Sequence, residues 1–173
     1  MVDIGFRALA WATRRQGGDR RGRLLSMALR AVRSIRPLTS KHLAAALGLS
    51  LRGYQHFEAG GGQLNIDHVL KFAAATNSDP IGILVSVQIG RPDFAAHVAQ
   101  NKAMFALMLS LQEFAEEAGE DVSRLDTAAY LSAYRAMFKD LAEQARAERE
   151  RSDAWIAKNA ARLGLTQRTE DDD

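Results

Sequence analysis

Four histidines, His42, His56, His68 and His97, are the first candidates for chemistry in this chain. Their spacing matches no metal-ligand pattern, and no carboxylate pair stands beside them in a recognisable site. The acids Glu116, Glu117, Glu148 and Glu150 fall in charged helical stretches. Gly60-Gly61-Gly62-Gln63 lacks the preceding strand and the following Lys-Ser/Thr of a phosphate-binding loop. Cysteine is absent, which removes disulfides and thiolate metal sites and fits a reducing compartment. The expectation is a protein that is not an enzyme, with no metal and no cofactor.

Arginine is the residue whose placement carries information. Residues 1–36 hold nine Arg against Asp3 and Asp19, a net +7. Residues 37–90 balance three bases with three acids, and residues 91–173 set eleven bases against sixteen acids, a net −5. A basic front and an acidic back suit a chain that meets a polyanion with one end. Arg14, Arg15, Arg20, Arg21 and Arg23 surround Gln16-Gly17-Gly18-Asp19, read as a flexible basic arm able to grip phosphates or enter a minor groove.

The elements that position these groups are helical. Nearly half the residues are apolar and β-branched runs are scarce, so an all-α chain is expected. No apolar run approaches the roughly 20 residues of a membrane helix, and residues 1–15 lack the pattern of a secretory signal. No membrane contact and a cytoplasmic location are expected. Residues 38–60, LTSKHLAAALGLSLRGYQHFEAG, read as two short helices around a tight turn. Thr39 and Ser50 are placed to accept from the first free N–H groups of each helix. Leu43, Ala44 and Leu47 line one face, Gly48-Leu49-Ser50 makes the turn, Tyr54 and Phe57 point inward, and Gly60 ends the second helix.

With LTSKHLAAALGLS, Tyr54 and Phe57 flanking Gln55-His56, Glu58-Ala59-Gly60, and Asn65-Ile66-Asp67 opening HVLKFAAATNSDP, the stretch 23–84 resembles the lambda-repressor-like (Cro/cI, XRE) DNA-binding domain. The resemblance implies a five-helix helix-turn-helix domain over 23–89; residues 1–22, outside the resemblance, read as an N-terminal helix and basic arm. It implies double-stranded DNA as partner, with the residues near the start of the third helix reading bases: Leu51, Arg52, Gln55 and His56. Arg52 can fork onto guanine O6 and N7, Gln55 can pair an adenine edge, and Leu51 offers apolar contact to a thymine methyl. Ser40, Lys41 and Ser50 are expected at the backbone, although relatives carry glutamine where this chain has Ser40. Gly61, Gly62 and Gln63 would meet the other strand through backbone N–H groups and an amide, without the basic residue relatives often place there. Glu58 is expected to hydrogen-bond within the domain. Gly53 costs a short helix about 1 kcal/mol relative to alanine.

Around this core, helices are expected from residue 3 to 15 and from 23 to 35, the latter ended by Pro37. Asn65 caps a fourth helix with Ile66, Val69, Leu70, Phe72 and Ala73 in the core, and Asp79-Pro80 opens a fifth. Residues 90–93 read as a hinge, 94–118 as one long helix, 119–126 as a polar turn, and a last helix starts near Thr127. Leu131, Tyr134, Phe138, Leu141 and Ala145 form a short a/d stripe. The half from 90 to 165 is expected to form a homodimer through residues about 94–163, with 166–173 as a disordered acidic tail. The functional expectation is a dimeric, sequence-specific transcriptional repressor. The alternative is a protein-interaction module, antitoxin-like or an adaptor to polymerase or a sigma factor, that binds a partner through its acidic C-terminal half.

Overall fold

The computed structural model describes residues 15–61 and 65–163. The expected helix at 3–14, the acidic tail, and Gly62 and Gln63 lie outside the described residues. Every described element is helical: α1 (Arg15–Ile35), α2 (Ser40–Leu47), α3 (Leu51–Glu58), α4 (Ile66–Thr76), α5 (Pro80–Gln88), α6 (Phe94–His97), α7 (Ala103–Ala118) and α8 (Thr127–Ala160), with 3-10 turns at Gly119–Arg124 and Ala161–Leu163. No described helix is long and apolar enough to cross a membrane.

The chain divides into two compact units, which meet at residues 117 and 118. In the first, α1 to α6 surround one core in which Leu29, Val32, Leu43, Tyr54, Val69, Phe72 and Ile83 are fully buried. Local cap chemistry starts these helices where it was expected. Thr39 Oγ1 accepts from His42 N, Ser50 Oγ from Gly53 N, Asn65 Oδ1 from His68 N, and Asp79 Oδ1 from Gly82 N. Each such cap is worth about 1 kcal/mol. Gly48, at φ +70°, ends α2 in the left-handed conformation, and the N–H of Leu49 returns to the carbonyl of Ala44 at 2.9 Å.

Four expectations need correction. The first domain helix begins at Arg15, not Arg23, so the described part of the presumed flexible arm is helix. Ile66 and Leu70 are exposed; Val69, Phe72, Ala73 and Thr76 are the buried residues of α4, because the helix buries one narrow stripe. Residues 90–93 form a turn within the first unit, closed by Arg91 N donating to Ser86 O, and the chain beyond buries Ala95, Val98 and Ala99 there. The single helix expected over 94–118 is two helices, broken at Lys102, whose φ is +54°.

A buried carboxylate explains that break. Asp79 is fully buried; while Oδ1 caps α5, Oδ2 accepts from Met104 N at 2.8 Å and Phe105 N at 3.1 Å. One side chain thereby satisfies the opening N–H groups of two helices about 25 residues apart. Lys102 fastens the same corner, its Nζ donating to the carbonyls of Ala99 and Asn77. Beyond Met104 no residue of α7 is buried, and Phe105, Met108, Leu109 and Leu111 are exposed.

In the second unit α8 starts at an Asp126 cap, Oδ1 accepting from Ala129 N at 2.7 Å, and Tyr130 donates to the carbonyl of Val122. No residue of α8 is buried. Leu131, Tyr134, Phe138 and Leu141 are each about half exposed, as is Ile156 in the same helix, while Met137 is about a third exposed.

Candidate nucleic-acid interface

Eight residues, LRGYQHFE, make α3, and their burial separates two faces. Tyr54 and Phe57 are buried, while Leu51, Arg52, Gln55 and His56 are exposed. Positions 51, 52, 55 and 56 recur at helical spacing, so the four side chains form one outward face. Neither Arg52 nor Gln55 has a side-chain hydrogen bond or ion pair to another described residue. Ser50 lies at the start of this face with its oxygen occupied by the cap; Gly53 N donates to it at 3.0 Å. A Cβ on Gly53 would stand 3.2 Å from that same oxygen, which gives the glycine a local reason.

The inward side of α3 is fastened to α1 by charge. Arg33 Nη1 lies 2.5 Å from Glu58 Oε1, and Tyr54 donates its hydroxyl to the same oxygen at 2.9 Å. Arg33 Nη2 also donates to the carbonyl of Leu38 at 3.2 Å, tying in the corner before α2. Glu58 is thus a structural residue, as expected, and Tyr54 finds its polar partner inside the fold. The hydrogen bond it donates to the Glu58 carboxylate holds Arg33 above its ordinary pKa. Burial, then the Glu58 carboxylate, pushes the Tyr54 phenol well above its ordinary value. Both groups therefore stay protonated across the physiological range.

The remaining expected contacts are distributed as follows. Lys41 is exposed and Ser40 half-buried at the start of α2, whose first turn offers free N–H groups. Gly61 departs from expectation: its N–H donates to the His56 carbonyl at 2.9 Å, because the chain turns back through Gly60 at φ +77°. That donor is spent on ending α3. A Cβ on Gly61 would overlap the His56 ring, so the imidazole lies against the turn at the end of the outward face. His68 meets Phe57 edge-on at 5.4 Å between ring centres and acts in packing. Among the described residues no cluster of His, Asp or Glu could hold a metal.

Two features of this region escape a reading by local pattern. Arg33 is indistinguishable in sequence from its eight neighbours in the basic segment. The contact between α1 and the turn after α3 is equally silent: a Cβ on Gly22 would lie 2.3 Å from Gly60 O, and one on Gly60 1.9 Å from Gly22 O. Backbone meets backbone there, and only glycine fits on either side. No family model, curated protein or solved structure matches the chain.

Proposed function

We propose that this protein is a sequence-specific DNA-binding regulator of transcription, acting as a homodimeric repressor on an inverted repeat. The observation that carries the reading is the outward face of α3, where Arg52 and Gln55 stand exposed on a helix clamped from behind by Arg33 and Glu58. With α2 and the Gly48 turn this forms a helix-turn-helix, and α3 enters the major groove. Arg52 forks onto a guanine, Gln55 pairs an adenine, Leu51 touches a thymine methyl, and His56 contacts a base or phosphate near the end of the face. Ser40 and Lys41 hold the backbone at the start of α2. Bound over a promoter, the dimer keeps polymerase out.

The dimer rests on the second half of the chain. A 34-residue helix with no buried residue, about 51 Å long at 1.5 Å per residue, does not leave its apolar stripe in water. A second copy covers it and sets two α3 helices one turn of DNA apart, about 34 Å.

Gel shifts of duplex fragments at moderate salt test the reading. Arg52→Ala is expected to relax choice at one base position per half-site, losing about 1–3 kcal/mol of discrimination. An equal loss on all sequences would restrict Arg52 to phosphate contact. The same exposed stripe of α8 favours one other reading, an interaction module whose stripe binds a different protein. Selective shifts by the purified chain alone speak for the first; a stoichiometric partner without DNA affinity speaks for the second.

A further inference from the structure

Helix α1 carries six arginines and one acid, Asp19, and three of these arginines share one side of it. Positions 20, 23, 27, 30 and 34 step by 3, 4, 3 and 4, and all five are exposed: Arg20, Arg23, Met27, Arg30 and Ser34. The neighbouring stripe, Gly22, Ser26, Leu29 and Arg33, is the one turned to α3, through the Gly22–Gly60 contact and the Arg33–Glu58 pair. On its far side Leu25, Ala28 and Val32 enter the core. The seam between α1 and α3 therefore has a core side, marked by Val32 and Phe57, and a solvent side. The Gly22–Gly60 and Arg33–Glu58 contacts are both made at the C-terminal end of α3 and the turn after it, and the exposed arginine stripe lies on the side of α1 next to the one turned there.

Ion pairing within the fold does not account for Arg20 and Arg30. Among the described residues neither Arg20 nor Arg30 has an acidic partner. The turn after α3 offers no basic side chain at Gly60 or Gly61, and the N–H of Gly61 is spent within the fold. We propose that the arginine stripe of α1, held rigidly beside α3 by the Gly22–Gly60 contact, is a second phosphate-binding surface for duplex DNA, on the backbone flanking each recognised half-site. Arg20, Arg23 and Arg30 supply charge without base choice. The inference rests on α3 reading duplex DNA and adds to it the surface that sets affinity and salt dependence.

The test is the slope of log affinity against log salt for full-length protein on its preferred duplex. Each phosphate contact contributes about 0.9 to that slope. Arg20→Ala, Arg23→Ala and Arg30→Ala together remove three contacts from each of the two protomers and are expected to flatten it by about 5.4, leaving the ranking of half-site bases unchanged. The single changes to glutamine, which keep the helix propensity and part of the stem, are each expected to flatten it by about 1.8, one contact on each half-site, and guard against a triple variant that folds poorly. Selective binding with an unaltered slope in all variants overturns the arginine surface while leaving the α3 reading intact. Loss of base ranking in the triple variant would make these arginines readers, also against the proposal. Failure of the unaltered protein to bind any duplex overturns both.

Discussion

Glu58 collects two donors on one oxygen, and the consequence is that the back of α3 cannot shift without breaking a charged pair. Removing the carboxylate would strand a half-buried guanidinium and a buried phenol, each costing about 1–3 kcal/mol. The same cluster predicts an alkaline limit. Tyr54 has a raised pKa in the folded chain, so folded protein holds its proton more tightly than unfolded protein. Its contribution to stability is fully present below the ordinary phenol value near 10 and is lost as pH rises above it. Tyr54→Phe is expected to flatten the fall in unfolding free energy above about pH 10, measured by urea titration at stepped pH. An unchanged alkaline fall in the variant would deny Tyr54 this role. Gly53 and the Gly61 turn act at the same level, trimming α3 so that its cap and its return fit.

Among the helices, those whose start signals are local were legible before any fold was known. Thr39, Ser50, Asn65 and Asp79 each cap within three residues, so short patterns suffice to place α2 to α5. The outward face of α3 was legible for the same reason, since the inward positions of Tyr54 and Phe57 follow from period alone. What escaped depends on contacts between distant positions. Gly17, Gly18 and Gly22 argue for a loop by propensity, and α1 nevertheless runs through them; Gly22 serves a contact with Gly60 that no window of residues contains. The break before α7 is set by the second oxygen of Asp79, already spent in sequence terms as the cap of α5. Asp79→Ala would leave buried N–H groups at the start of both helices, and a loss of about 3 kcal/mol or more is expected in chemical denaturation. A loss below 1 kcal/mol would show that water replaces the carboxylate without cost.

Taken whole, the chain separates a cored unit that carries the basic stripe and α3 from a unit whose long helix has no core of its own. A solitary helix with Leu131, Tyr134, Phe138 and Leu141 in water is poorly stabilised, and the proposed pairing with a second copy would remove that cost. Sedimentation is expected to give twice the 19.0 kDa chain mass, and Phe138→Glu, which sets a charge in the middle of the stripe, is expected to give the single-chain mass. A wild-type monomer at tens of micromolar would break the link between this helix and paired half-sites. The central claim, that the α3 face inspects bases, is met most directly by selecting binding sites from random duplexes with the full-length protein and with Arg52→Ala in parallel. Wild type should enrich an inverted repeat with half-site centres about 34 Å apart, and Arg52→Ala should lose preference at one symmetric position of it. Recovery of unenriched sequence by the wild-type protein, at low and moderate salt alike, would contradict the account.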